Sequence, residues 1–95
     1  VIWGAGHQAL TVISLSNIKN KINYIVDSAT FKQNKYTPES HLLIINPDYM
    51  IKDKPESIIV MAAGFSDEIV KIINAKYPFI QNIAVLREDN LEIIK

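Results

Sequence analysis

The fold is decided by the stretch that opens the chain, Val1-Ile2-Trp3-Gly4-Ala5-Gly6-His7-Gln8-Ala9. Three apolar residues suited to a buried parallel strand run into a Gly-x-Gly-x-x-Ala turn and then into a helical pattern. In this context a glycine-rich loop can hold a phosphate, although the same pattern also fits a tight turn that binds nothing. Gly4 would permit the turn, Gly6 the close approach of a ligand, and Ala9 close packing of the helix on the strand.

A second apolar run ends in a carboxylate. Tyr24-Ile25-Val26 is followed by Asp27, which comes 21 residues after Gly6. In dinucleotide-binding folds an acidic residue at about this spacing hydrogen-bonds a ribose. A dinucleotide site needs two mononucleotide-binding halves, and this chain is long enough for about one and a half of them. The sequence therefore argues against a free-standing dehydrogenase.

The rest of the chain alternates strand and helix patterns. Helices are predicted over residues 7–19, from Asn46 as cap with Pro47 first, and from Ser66 as cap to the stop at Tyr77-Pro78. Residues 28–41 show no period, and we interpret them as an ordered loop. The predicted strands are 1–3, 23–27, 41–45, 57–62 and 82–86, and residues 91–94 fit an edge strand running back.

This alternation predicts the α/β class. We expect a single Rossmann-like three-layer domain over residues 1–95, with a mostly parallel sheet of about five strands and a C-terminal antiparallel edge strand. In such sheets ligands bind beyond the carboxyl ends of the strands. The glycine turn, the Asp27-Ser28 pair and Ala63-Gly64 are all predicted to lie at that edge.

Composition excludes several classes of protein. Ten basic and ten acidic residues balance, so nothing indicates a nucleic-acid or membrane partner. The chain has no cysteine, and its two histidines, His7 and His41, lack the spacing of a metal site. No set of residues completes a catalytic constellation, so we predict no catalytic, cofactor-binding or metal-binding residue here. With no signal peptide or long apolar stretch in the sequence, a cytoplasmic location is expected.

The start of the sequence predicts a fragment. The chain has no initiator methionine and opens inside its first predicted core strand. Chain ends usually lie at the surface and are padded by a few loosely held residues. We therefore expect residues 1–95 to be one domain of a longer protein.

A family resemblance is carried by the loop Phe31-Lys32-Gln33-Asn34-Lys35-Tyr36-Thr37-Pro38-Glu39-Ser40-His41 with the following Leu42-Leu43-Ile44. It resembles the pattern K-Q-G-x-Y-x-P-G-(T/S)-H-I-P-I in the C-terminal domain of S-adenosylmethionine-dependent C-methyltransferases, including those acting on nucleotide-linked deoxysugars. The glycine turn, the Tyr24–Asp27 strand, Pro47, the Ile58–Ala62 strand and Asp67-Glu68-Ile69 follow in the expected order. Asn34 and Glu39 stand where the pattern usually has glycine.

The resemblance implies a division of labour within a parent enzyme. S-adenosylmethionine would be bound by an upstream catalytic domain outside this chain. The present domain would pack on that domain and help to enclose a small-molecule acceptor, such as a nucleotide sugar, and would be inactive alone. Met61-Ala62-Ala63-Gly64-Phe65 stands where the sugar enzymes often carry Pro-Trp or Ala-Trp, which leaves the acceptor open.

Ligand contacts are predicted at the first turn, after the second strand and in the loop. The residues are Gly4, Gly6, His7, Gln8, Asp27, Ser28, Tyr36, Ser40 and His41. Two alternative functions remain. One is the nucleotide-sugar-binding module at the front of sugar acyltransferases, which also opens with a glycine turn and a strand ending in Asp. The other is a structural or dimerising domain whose turns bind nothing.

Overall fold

The computed structural model describes residues 1–4, 6, 22–37, 42–87 and 90–95, and the helix predicted over 7–19 lies outside them. Within these ranges two α-helices, two 3-10 helices and seven strands form. The strands are β1 (Ile2–Trp3), β2 (Ile25–Val26), β3 (Lys35–Tyr36), β4 (Leu43–Ile45), β5 (Ser57–Val60), β6 (Asn82–Leu86) and β7 (Leu91–Ile93). The α-helices are α1 (Tyr49–Asp53) and α2 (Ser66–Lys76), and the 3-10 helices are Thr30–Lys32 and Ala63–Phe65.

All seven strands join one mixed sheet in the order β3-β4-β2-β1-β5-β6-β7. The five inner strands are parallel, and β3 and β7 run antiparallel at the two edges. The predicted α/β class, the mostly parallel sheet and the C-terminal antiparallel edge strand are confirmed. Both chain ends lie in the sheet, because the Ile59 amide donates to the Val1 carbonyl at 2.9 Å and the Ile83 amide to the Lys95 carbonyl at 3.1 Å.

Apolar side chains lie on both faces of the sheet. Along β1, Ile2 belongs to one buried cluster and Trp3 to another, and Ile25 and Val26 divide in the same way along β2. Successive strand residues point to opposite faces, so the two clusters pack on the two faces. Such two-sided burial is typical of inner parallel strands and explains why their sequences read as unbroken apolar runs.

The interpretation of residues 28–41 as a loop is wrong for part of that segment. Strand β3 pairs with β4 through Lys35 opposite Ile44 and Tyr36 opposite Leu43. Both β3 residues are exposed, and a two-residue strand with exposed side chains leaves no periodic signal in the sequence. Asn34 before it has a φ of 63°, a left-handed conformation that glycine adopts freely and asparagine tolerates. Asn34 therefore supplies the backbone geometry for which the family pattern has glycine.

The predicted starts of both helices need correction. Asn46 closes a turn instead of capping the helix directly: its Oδ1 accepts from the Asp48 amide at 2.8 Å, and α1 begins at Tyr49. Ser66 is the first residue of α2, not its cap, and its buried hydroxyl accepts from the Ala62 amide at 3.2 Å. The predicted end of α2 before Tyr77-Pro78 is confirmed.

Replacing Lys54 by glycine is expected to stabilise the fold by about 0.5–1 kcal/mol. Lys54 ends α1 with a φ of 50°, and its amide donates to the Met50 carbonyl at 2.7 Å. Glycine adopts this left-handed conformation without the steric cost that a Cβ brings. Urea unfolding measures the change, and Lys52→Gly inside α1 should destabilise by a similar amount. A loss of stability in both variants would contradict this account.

Candidate functional site

A cleft of about 550 Å³ lies at the carboxyl ends of β1 and β5. β1 and β5 are neighbours in the sheet. The strands on the β1 side all precede β5 in the chain, and the strands on the other side of β5 follow it, so the strand order reverses between β1 and β5. Ligands of open α/β sheets bind at such a change of direction, and this volume is that of a small-molecule site. The residues that line the cleft are Trp3, Gly4, Gly6, Asp27, Ser28, Lys32, Met61, Ala62, Ala63, Phe65, Glu68, Ile69 and Ile72.

Gly4 forms the floor of the cleft and cannot carry a side chain. Its φ is +121°, and a Cβ at this position would lie 2.4 Å from the Met61 carbonyl oxygen. The Gly4 amide donates to the Val26 carbonyl at 2.9 Å, and the Met61 amide to the Trp3 carbonyl at 2.8 Å. Gly4 therefore lets β5 leave the sheet directly beside the end of β1.

Gly6 differs from Gly4 in its surroundings. A Cβ built on Gly6 would meet no atom within 4 Å, and the residue lines the open cleft. The fold around it leaves room for a side chain. The close approach of a ligand to Gly6 stays a prediction, and this geometry is compatible with it.

Asp27 shapes the turn that follows β2. Its Oδ1 accepts from the Ala29 amide at 2.9 Å, and its Oδ2 lies 3.8 Å from the Lys32 ammonium. Its backbone carbonyl accepts from the Gln33 side-chain amide at 2.8 Å. The carboxylate thus orders a turn that holds Ser28 exposed at the cleft and brings a cation to the cleft wall.

The predicted contact residues divide into three groups. Gly4, Gly6 and the Asp27-Ser28 pair come together along the cleft. Tyr36 is 66% exposed on β3 and is not among the residues that line it. Three strand spacings separate β3 from β1, a distance of about 14 Å. The other predicted residues lie outside the described part of the chain: His7, Gln8, Ser40 and His41.

Sequence reasoning missed the wall that α2 contributes. Phe65, directly before α2, and Ile69 and Ile72 within it line the cleft, although no ligand contact is predicted for this segment from the sequence. Ile73 is fully buried while Ile72 is 40% exposed, so the apolar surface of α2 is wider than the core contact requires. The spacing of Phe65, Ile69 and Ile72, at i, i+4 and i+7, is the signal that places them on one helix face.

A second, smaller cleft of about 230 Å³ adjoins the first and shares Trp3, Ser28, Ile69 and Ile72 with it. Its inner end is formed by Tyr77, whose hydroxyl donates to Asp48 Oδ1 at 2.7 Å. The two clefts therefore meet at these shared residues.

Raising the pH above about 10 is expected to destabilise the fold through Tyr24 and Tyr77. Burial raises the pKa of both phenols, and their hydrogen bonds to Asp53 and Asp48 raise it further. A folded-state pKa above the unfolded one means that the native state holds its proton more tightly, so this stabilisation is complete below the unfolded pKa and is lost as the pH rises above it. Absorbance at 295 nm, compared with Tyr24→Phe and Tyr77→Phe, should show these two phenols ionising only as the chain unfolds. Their ionisation with native circular dichroism would contradict this.

Two kinds of feature are absent from the part of the chain that the structure describes. No group of three or more His, Cys, Asp or Glu side chains in residues 1–4, 6, 22–37, 42–87 and 90–95 is arranged to hold a metal ion. No helix within the same ranges has both the length and the apolar character needed to cross a membrane.

Comparison with known proteins agrees with this architecture. A solved structure described as UDP-D-quinovosamine 4-dehydrogenase from Vibrio fischeri superposes with a TM-score of 0.69 over 99% of this chain and 90% of that chain, at 16% sequence identity. At this identity the similarity concerns the fold. Among curated proteins no match is found. A family profile described as the C-methyltransferase C-terminal domain matches residues 1–85. The chain therefore belongs to the C-methyltransferase C-terminal domain family.

Proposed function

We propose that this chain is the substrate-side domain of an S-adenosylmethionine-dependent C-methyltransferase. In this proposal an upstream domain of a longer chain binds S-adenosylmethionine and carries the catalytic groups, and the cleft between β1 and β5 holds part of a small-molecule acceptor. The observation that carries it is the position of the cleft, at the carboxyl ends of the central strands of a domain from this family. A nucleotide sugar is the acceptor class that we propose, and a cytoplasmic location belongs to the same proposal.

Asp27 stands where a carboxylate could contact the ribose of a ligand, and its contacts within this chain are known. S-adenosylmethionine carries a ribose, and a carboxylate after the second strand of a Rossmann-like fold commonly accepts from ribose hydroxyls. Here Oδ1 of Asp27 accepts from the Ala29 amide, and Oδ2 faces Lys32. The carboxylate therefore orders its own turn, in addition to any contact that it makes with a ligand in the cleft.

The charged groups of the cleft support the absence of catalysis by the domain alone. The titratable side chains that line it in the described ranges are Asp27, Lys32 and Glu68. Asp27 and Lys32 form an ion pair at 3.8 Å. Glu68 lies in the first turn of α2, where a carboxylate is stabilised by the helix dipole. A general acid–base pair needs two groups free to exchange protons with the substrate, and the pairing of Asp27 with Lys32 leaves Glu68 as a single such group in this set.

Titration of the isotopically labelled chain tests the proposal. We expect UDP-glucose to shift the amide resonances of Gly4 and Gly6, and NAD and S-adenosylmethionine to leave them unchanged. The isolated chain should transfer no methyl group from radiolabelled S-adenosylmethionine. Methyl transfer by the 95 residues alone, or binding of S-adenosylmethionine at Gly4 and Gly6, would contradict the proposal. If none of the three ligands shifts these amide resonances, a structural domain that binds no ligand is favoured.

A further inference from the structure

One face of α2 presents apolar side chains to the cleft. Phe65 is the residue directly before α2, and Ile69 and Ile72 follow it at i+4 and i+7 within the helix, which brings the three side chains to one side; all three line the cleft. Phe65 is 69% exposed and Ile72 40% exposed. Exposed apolar surface that lines a concave site is a common feature of small-molecule binding sites.

The turn before α2 fixes the backbone that carries the Phe65 ring. Ala63 has a φ of 49°, which costs a residue with a Cβ about 1–2 kcal/mol. The Phe65 amide donates to the Ala62 carbonyl at 3.0 Å, and the Ser66 hydroxyl accepts from the Ala62 amide at 3.2 Å. Strain of this kind persists where the surroundings hold it, and it is concentrated at ligand sites. The backbone under the ring is therefore fixed before any ligand binds.

The charges of the cleft give it two different ends. Asp67 and Glu68 occupy the first turn of α2, and Glu68 lines the cleft beside Phe65. Asp67 is paired with Arg87 at 2.9 Å and does not line the cleft, so it is the Glu68 carboxylate that disfavours an anionic group at that end. Among the described lining residues the cation is Lys32, which lies in the turn after β2. A ligand that fits this distribution has an uncharged ring at Phe65 and its anionic group toward Lys32.

We propose that Phe65 stacks on a planar aromatic ring of the acceptor and so determines which substrates enter the cleft. This inference rests on the proposed function and names the part of the acceptor that the domain recognises. The Phe65 ring has a π-face, and any nucleobase can stack on such a face. Gly6 contributes bare backbone to the same cleft and leaves space for the ligand.

Two probes that differ only in the ring test this inference: uridine 5′-monophosphate and ribose 5-phosphate. Trp3, the single tryptophan of the chain, lines the cleft, so its fluorescence reports occupancy, and calorimetry gives the affinities. The nucleotide is expected to bind at least about tenfold more tightly than the sugar phosphate. Phe65→Ala should remove this difference, and Phe65→Trp should keep it. Phe31→Ala is the matched control, because Phe31 is 70% exposed and does not line the cleft.

Several results would overturn the inference. They are equal affinity of the two probes, no binding of the nucleotide by the wild-type chain, and unchanged nucleotide binding by Phe65→Ala. If Gly6→Val abolishes binding and Phe65→Ala does not, the cleft still holds the acceptor and only the role of Phe65 is wrong. If Phe65→Ala weakens association with the upstream catalytic domain alone, the exposed face of α2 is a domain interface and the inference is likewise wrong.

Discussion

Replacement of Gly4 by alanine is expected to lower the free energy of unfolding by roughly 3–5 kcal/mol. The new Cβ would lie 2.4 Å from the Met61 carbonyl oxygen, and the backbone φ of +121° is one that residues with a Cβ rarely adopt. The clash involves backbone atoms of β5, so no side-chain rotation relieves it. Because small domains are stable by only about 5–15 kcal/mol, the variant should unfold at much lower urea concentration and lose ligand binding at the cleft.

Gly6→Ala is the matched control for that experiment. A Cβ on Gly6 meets no atom within 4 Å, and its φ lies outside the positive range that penalises side chains. The unfolding midpoint should therefore stay close to that of the wild type, within about 0.5 kcal/mol. If both glycine substitutions cost the same, the close contact between β1 and β5 is not the reason for glycine at position 4.

Truncation of Tyr77 to alanine is expected to cost about 3–5 kcal/mol. The side chain is 1% exposed, and its ring centroid lies 6.1 Å from that of Trp3 and 6.3 Å from that of Phe79. Removing the ring leaves a cavity beneath the smaller cleft, next to Trp3. The loss should appear in urea unfolding and, because Trp3 is the single tryptophan, as a change in native-state fluorescence.

Tyr77→Phe separates the packing of this ring from its hydrogen bond. Phenylalanine keeps the contacts with Trp3 and Phe79 and removes only the 2.7 Å bond to Asp48 Oδ1. Such a bond to a charged group contributes about 1.5–3 kcal/mol at most, and less where the carboxylate is solvated. Asp48 is exposed, so we expect a loss of about 1 kcal/mol. A loss as large as that of the alanine variant would mean that the hydrogen bond, and not the ring, stabilises this region.

The inner sheet could be predicted because its strands are buried on both sides. Residues 83–86 and 58–62 are apolar without interruption, and they cover all but the first residue of β6 and β5. The short edge strand β3 could not be predicted, since its two exposed residues are held by pairing with β4 instead of by burial. The helix starts were misplaced for a related reason: Ser66 and Asn46 are both good caps by composition, but their oxygens bond to other amides.

The candidate site was predictable where the backbone forms it and not where side chains form it. The glycine turn and Asp27-Ser28 were placed at the correct edge, because the carboxyl ends of parallel strands share one edge of the sheet. The wall made by Phe65 and Ile72 was missed. Apolar residues on a helix read alike whether they face the core or a cleft, and only the packing of α2 on the sheet distinguishes them. Tyr36 lies away from the cleft because β3 carries it to the far edge.

The hydrogen bonds at the two chain ends make the domain a good candidate for circular permutation. Val1 pairs with Ile59 and Lys95 with Ile83, so both ends lie near the amino ends of the parallel strands, on the side away from the cleft. Between β1 and β7 lie three strand spacings, about 14 Å, which a linker of about five residues can span. A permuted chain joined there and reopened at another surface turn would keep the cleft intact.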